Sequence, residues 1–394
     1  MKKLLLLNGG HSEITLIKEA QRLGYYVITS GNDPRLIGHK LADENIFEDY
    51  SNYEKMLQIA ENNKIDAVVS CANDFGAISA AYIAEKMGLP GHDSFKTTTL
   101  LHQKDSFKHF AKANNIQVAP SVEFSNIEDA LKFDEYTFDY PMIVKPTDLT
   151  GGKGVSKAEN REELTNAIAY AFEKTRKGSI VVEHFVEGSY HSFSTFVVNR
   201  KVIASYSDNE YSYINPFFVA ASGGPARNIS KIKELLIGQV EKIAELLNLV
   251  NGVFHIQYVM DENNIPYIMD ITRRCSGDLY PEPVEHSTGL PWSKWIVLSE
   301  TGSPDSSFME RGEQKIYCGR CCVMPKRNGV VSNVIIPEEI RKHVYKEIMW
   351  WKEGDLAKNY LADKCGILFW EFDSEEEMLS VIRDAFNKIN VVVY

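Results

Sequence analysis

The sequence predicts an α/β fold in three successive parts, and three observations carry that expectation. Residues 1–100 alternate short apolar runs with stretches of helical periodicity. From about residue 101 helical segments alternate with longer strand-like runs, and 306–394 reads as short strands closed by one helix. Strands separated by helices imply a parallel sheet, because a parallel connection needs a crossover of helical length.

In the first part, Lys3–Leu7 is apolar, Ser12–Leu23 has helical spacing and Tyr26–Thr29 is apolar again. Tyr53–Asn62 is helical, Asp66–Ser70 is a short apolar run and Phe75–Met87 is helical, giving a Rossmann-like N-terminal domain over 1–100. Gly9-Gly10-His11-Ser12 falls at the first strand-to-helix turn, where amides and the helix dipole favour an anion. The full dinucleotide fingerprint is missing, which argues against bound NAD. The central part, 101–305, contains helix Lys104–Asn114 and strands Met142–Lys145 and Ile180–Glu183. A long helix near Lys231–Leu247 leads into strands Val253–Met260 and Pro266–Ile271. Gly302–Gln314 is polar and reads as a linker to a small C-terminal α+β domain, 306–394, with its helix at Ser374–Lys388.

The net charge of −11 disfavours nonspecific binding to nucleic acid or to an anionic membrane, which needs a basic surface. The apolar run after Met1-Lys2-Lys3 is too short for a signal peptide, and no run is long enough to span a bilayer. Six scattered cysteines suit reduced thiols and a cytoplasmic location. Cys318, Cys321 and Cys322 approach a zinc half-site, but no second half-site accompanies them.

Four stations in the central part carry chemistry. Lys104 opens a helix and Lys108 follows one turn later. Lys145 ends an apolar strand and precedes Thr150-Gly151-Gly152-Lys153-Gly154-Val155. A strand-end ammonium beside a glycine-rich loop suits a polyphosphate, since bare amides can approach it. The strand Val181–Glu183 runs into His184-Phe185-Val186, a short segment able to present backbone groups to a base edge. Finally, Gly252–Met260 and Ile265–Arg274 read as a hairpin with Asn263-Asn264 as its two-residue turn. That register sets Gln257 opposite Asp270 and His255 opposite Thr272, with Arg274 on the same face. Such a face can hold oxygen ligands for magnesium, while Ile256, Tyr258, Met269 and Ile271 point to a core.

Taken in order, these motifs resemble the ATP-grasp superfamily, from the N-terminal unit to about residue 300. Segments 42–44 and 65–69 are also similar to amino-acid ligases of that superfamily. The resemblance implies a central ATP-grasp domain of two α+β subdomains. Lys104 and Lys145 match its nucleotide lysines, and Thr150, Gly151, Gly152, Lys153 and Gly154 its phosphate loop. Glu183, Phe185 and Val186 match the adenine hinge, and His191 falls where some members approach the ribose. Gln257, Asp270 and Thr272 match metal positions and Arg274 the catalytic arginine, with His255 a candidate proton acceptor. Gln257 replaces a usual acid, Asp270 a commoner glutamate and Thr272 a usual asparagine, so glutamate at 257 is expected to be tolerated.

The implied cofactors are ATP and one or two Mg²⁺. The implied reaction joins a small-molecule carboxylate to an amine through an acyl phosphate, releasing ADP and phosphate. A homodimer is compatible with the resemblance. Rival readings are a purine-pathway-like or biotin-carboxylase-like enzyme with another acceptor, a non-catalytic nucleotide sensor and a dinucleotide-dependent oxidoreductase. The identities of the carboxylate and the amine are not legible, although the Asn209–Ala226 segment is expected to shape their pockets.

Overall fold

The computed structural model describes residues 1–394 apart from 71, 135–136, 150–152, 217 and 304–305, and apart from the side chain of Asp105. Thr150, Gly151 and Gly152 of the expected phosphate loop therefore lie outside the described residues.

Residues 3–69 build a four-stranded parallel sheet in the order Glu44–Ile46, Tyr26–Ser30, Lys3–Leu7, Ala67–Val69. Leu4 to Leu7 are fully buried, which is why this strand shows no alternation. Two of the helices beside this sheet start where the sequence supplies caps. The Asn52 side chain accepts from Lys55 N, and the Asn73 side chain accepts from Phe75 N ahead of helix Asp74–Met87. Two short elements carry too little pattern to be read beforehand: strand Glu44–Ile46 and helix Phe95–His102.

A second, antiparallel sheet of four strands has the order Ser121–Phe124, Ile180–His184, Met142–Pro146, Ser156–Ala158. Helix Arg161–Lys174 covers it through Leu164, Ile168 and Ala171, which pack on Met142, Val144 and Val182. Gly154, at the described end of the glycine-rich loop, lies against this sheet. Gly154 has φ +73°, and a Cβ there would sit 2.7 Å from Pro146 Cγ, so this position requires glycine.

The third sheet is the largest and revises the expected domain border. Its eight strands run Pro266–Thr272, Gly252–Met260, Ser189–Val198, Lys201–Tyr211, Ala221–Gly224, Tyr317–Val323, Gly366–Phe372, Val344–Met349. Hydrogen bonding passes without a break from Ala221–Gly224 to Tyr317–Val323, so the sheet crosses the expected boundary at 305/306. Ser222-Gly223-Gly224, expected in a pocket-forming loop, is instead a buried strand. A Cβ on Gly223 would meet Ile382 Cδ1 at 2.3 Å, because helix Glu375–Lys388 packs directly on this strand. The expected linker Gly302–Gln314 is also tied down. Phe308 packs on Trp295, and Gln314 accepts from Ser207 N at 3.1 Å while donating to Ser207 O at 2.9 Å.

The hairpin that carries the candidate metal positions has the expected pairs, by a route that differs from the expected one. His255 pairs with Thr272 and Gln257 with Asp270. Nearer the turn, Tyr258 pairs with Ile268 and Met260 with Pro266, a register one residue off. The loop is longer than two residues: Asp261 N donates to Ile265 O, and Asn264 takes the left-handed conformation at φ +61°. A bulge between Gln257 and Tyr258 then restores the offset.

Arg273 and Arg274 diverge beyond this hairpin. Arg273 donates to Asp93 Oδ2 at 2.9 Å, to Val253 O at 2.6 Å and to Val250 O at 2.8 Å. Its side chain and that of Asp93 are each 5% exposed. Arg273 thus pins the hairpin to the segment after the first domain. Replacing it by methionine strands a buried carboxylate, and we expect a loss of about 3–5 kcal/mol in chemical denaturation.

Candidate active site

A cavity of about 480 Å³ opens where the three sheets meet. The small sheet contributes Ile143, Lys145, Glu183, Phe185 and Val186 to its wall. The large sheet contributes Glu210, His255, Gln257, Asp270, Thr272 and Arg320. The N-terminal sheet supplies His11, Ser12 and Asp74 from its strand-to-helix turns. Segment 212–219 adds Ser212, Pro216, Phe218 and Val219, as expected of the Asn209–Ala226 region.

At one end, two lysines share one carboxylate. Lys145 Nζ lies 2.9 Å from Glu183 Oε2, and Lys108 Nζ contacts the same oxygen. All three residues are at most 6% exposed. Burial opposes the charge on Glu183 most strongly, yet Lys108 and Lys145 together outweigh it and hold the carboxyl at about 2. Burial is also the main effect on Lys108, which it pushes down to about 7 with help from Lys145 and Lys104. The Glu183 side chain, at the start of the expected adenine hinge, is thus paired with both lysines. Phe185 and Val186 do line the cavity, and Lys157 Nζ lies 4.3 Å from the centre of the Phe185 ring.

Lys104 faces this end from helix Lys104–Ala113, with Nζ 4.0 Å from Asp270 Oδ2. The Gln257 amide is fixed by Glu210: its Nε2 donates to both carboxylate oxygens at 2.9 Å. That commitment of nitrogen leaves Oε1 as the amide atom suited to a cation. Burial, reinforced by Asp208, raises Glu210 to about 8. Tyr258 packs in the core as expected and also reaches the cavity, whereas Met269, expected on the core face, lines the cavity. The bulge beside Gln257 breaks the strict alternation on which that expectation rested.

Two expected residues are bonded to neighbouring serines. His191 is buried off the cavity, bonded to Ser189 Oγ at 2.6 Å and stacked on Tyr258 at 5.2 Å. His255 lines the cavity, but its Nδ1 is bonded to Ser194 Oγ at 3.1 Å. Burial, then Arg274 and Arg320, push His255 down to about 3, too weak a base to take a proton from an amine. Thr272 lines the cavity, and its hydroxyl has no hydrogen-bond partner among the described residues.

At the far end, Arg274 donates from Nε to Asp74 Oδ1 at 2.7 Å and from Nη1 to Cys275 O at 2.9 Å. His102 Nδ1 meets the same Asp74 oxygen at 3.0 Å. Burial alone would raise Asp74, but Arg274 and His102 hold it well below the usual carboxylate range. Asp278 plays the same part for the C-terminal strands. It pairs with Arg320 at 3.2 Å, with His11 at 3.1 Å and with Lys364. From the Gly9–Ser12 turn it is the His11 side chain that meets this carboxylate, and Ser12 Oγ accepts from Asp278 N at 2.9 Å. Asp278 and Leu279 both adopt positive φ, at +57° and +55°, a strained conformation for such residues and one that is found most often at functional sites.

Sequence reasoning missed Asp74, Glu210, Asp278, Arg320 and Lys364, and gave Lys108 no role. One signal was readable: Asp208 and Glu210 lie two apart on one strand face. The remainder depend on contacts between residues more than 40 positions apart.

These features define a protein that closes a cavity between a small sheet bearing Lys145 and a large sheet bearing Asp270. The family model "Phosphoribosylglycinamide synthetase, ATP-grasp (A) domain" matches residues 102–215 of the chain. Formate-dependent phosphoribosylglycinamide formyltransferase of Prochlorococcus marinus is 28% identical over 299 residues, 73% of this chain and 72% of that protein. The carbamoyl phosphate synthase large chain of Clostridium perfringens is 22% identical over 277 residues, 68% of this chain; this chain spans 25% of that protein. The L-amino acid ligase of Bacillus licheniformis superposes over 100% of this chain and 99% of its own, with a TM-score of 0.81 and 20% identity, a likeness of fold.

The Glu210–Gln257 contact has a consequence in pH. A carboxyl held at about 8 when folded and near 4.5 when unfolded keeps its proton between those values only in the folded state. Stability therefore falls as pH rises through that window. Glu210→Gln removes the titration, so the fall in melting temperature from pH 5 to 9 should be smaller in the variant; an equal fall would refute the assignment.

Proposed function

We propose that the chain is an ATP-dependent carboxylate–amine ligase. One observation carries this reading: the cavity sets cations and an opposed Gln257–Asp270 pair at one end and Arg274 and Arg320 at the other. A polyphosphate fits the first end and a carboxylate the second, so both partners of a phosphoryl transfer find their charges matched in one space.

Lys104, Lys145 and the amides beside Lys153 and Gly154 hold the phosphates of ATP, and Phe185 and Val186 flank the base. The residues present fit one or two Mg²⁺. Asp270 offers a half-exposed carboxylate and Gln257 an oriented Oε1, with Thr272 alongside. Among the described residues no three His, Cys, Asp or Glu side chains form a metal cluster, which suits an ion completed by phosphate oxygens and water. When bound, Mg²⁺ neutralises phosphate charge.

Arg274, held by Asp74, places the substrate carboxylate for attack on the γ-phosphorus. A carbon–oxygen–phosphorus anhydride forms and ADP leaves. The amine then attacks the acyl carbon, an amide forms and phosphate leaves. The amine sheds a proton as the amide forms, and the phosphate that leaves can accept it. No described helix is long and apolar enough to cross a membrane, and the proposed setting is cytoplasmic with small-molecule substrates. The chain's own pair of substrates is best found by an amine-by-carboxylate matrix scored for ADP release; release that needs neither partner overturns the ligase reading.

Two variants test the assignment of roles. Arg274→Lys should leave ATP affinity near that of the parent and cut turnover by about 10²-fold, the scale for one preorganised donor. Asp270→Asn should raise the Mg²⁺ concentration needed for half-maximal turnover. Parental turnover in Arg274→Lys, or an unchanged Mg²⁺ requirement in Asp270→Asn, would remove that residue from the mechanism.

A further inference from the structure

Glu183 poses a problem for a cavity that takes a polyphosphate. Its carboxylate lines the wall and lies 2.9 Å from Lys145, the ammonium that should meet phosphate. A buried carboxylate in that position repels phosphate and also competes with it for Lys145. Lys108 stands behind the pair. It contacts the same Glu183 oxygen, is 4% exposed and is absent from the cavity wall. Its helix places it one turn after Lys104, so the same element delivers one lysine to the cavity and one to the carboxylate behind it.

Counting charges shows the consequence. With both ammoniums protonated, two lysines and one glutamate carry a net charge of about +1, whereas Lys145 and Glu183 alone would be neutral. We propose that Lys108 is the internal counterion of Glu183, which frees the Lys145 ammonium for the phosphates of the nucleotide. Without nucleotide, Glu183 bridges both lysines. When phosphate enters, Lys145 turns to it and Glu183 keeps a buried, hydrogen-bonded partner in Lys108. No carboxylate is left unpaired in the interior at any stage, a condition that would otherwise make the exchange costly. Lys108 is thus a positioning residue that acts through Glu183 and Lys145, and the inference rests on the ATP reading given above.

The test is calorimetric titration of the full chain with MgATP, with melting temperatures recorded alongside. Lys108→Met should weaken MgATP binding by about tenfold or more, the scale of one charge-assisted contact. The loss should fall on the KM for ATP, with turnover recovered at saturating ATP. The double variant Lys108→Met/Glu183→Gln removes the carboxylate that Lys108 served, so MgATP affinity should recover to within about threefold of the parent. A residue needed only for packing would give no such recovery, because the second change adds no packing.

Parental affinity in Lys108→Met overturns the inference. So does a folded double variant that binds no better than Lys108→Met. If Lys108→Met alone does not fold, the double variant decides: near-parental affinity supports the role and weak binding overturns it. Failure of the parent itself to bind MgATP would instead remove the nucleotide reading, and this inference with it.

Discussion

Every cation that the cavity presents in its wall is held by a carboxylate from another part of the chain. Lys145 is held by Glu183, Arg274 by Asp74, and Arg320 and Lys364 by Asp278. A buried ammonium or guanidinium without such a partner would lose its proton or its place. The requirement explains why the site needs so much chain around it. Asp74 lies 200 positions from Arg274, and Asp278 lies 86 from Lys364. The folding of three sheets against one another supplies the counterions, and the counterions in turn fix where each positive group points.

The large sheet makes that arrangement rigid. Asp208, Ser192, Gln257 and Asp270 form one row across four adjacent strands, and Tyr206, Ser194, His255 and Thr272 form the next. Serine at 192 and 194 keeps the middle of both rows shallow, which lets Gln257 reach across to Glu210 and lets His255 lie down on Ser194. Because the sheet continues into Tyr317–Val323, Arg320 is carried on the same surface as Asp208 and not on a separately hinged domain. The N-terminal sheet shares a core with this surface through Leu4, Leu6, Phe196, Val253 and Trp295, so Asp74 and His11 are held against it by packing as well as by charge.

The sequence made the local devices legible and the long-range ones opaque. Alternation along Gly252–Met260 and Pro266–Thr272 put His255, Gln257, Asp270 and Thr272 on one face, and the structure keeps them there. The register was reached for the wrong reason: a two-residue turn was assumed, while the real loop is longer and a bulge compensates. A bulge leaves no mark in a hydrophobic pattern, and the same bulge leaves Met269 at the cavity. His191 failed for a related reason. It lies on a strand whose side chains from His191 to Val197 are buried on both faces, and alternation cannot say which buried face meets a cavity. The continuity of the large sheet across 305/306 was hidden because polar composition in Gly302–Gln314 imitates a linker, while Phe308 and Gln314 anchor it.

Gln257 shows how a departure from pattern becomes intelligible only with its neighbour in view. Read alone, glutamine at a metal position looks like a weakened acid that glutamate would improve. With Glu210 in place the argument reverses. Both Glu210 oxygens accept from Gln257 Nε2, and glutamate at 257 would set two carboxylates at hydrogen-bond distance in a buried wall already burdened by Asp208. Two such groups cannot both ionise, so one would retain a proton and neither would be a dependable ligand. Glutamine avoids the conflict by dividing its functions: the nitrogen satisfies Glu210, and the oxygen remains for a cation carried in by phosphate. The acid missing from position 257 is thus present two strands away, at Glu210, where it orients the amide that takes its place.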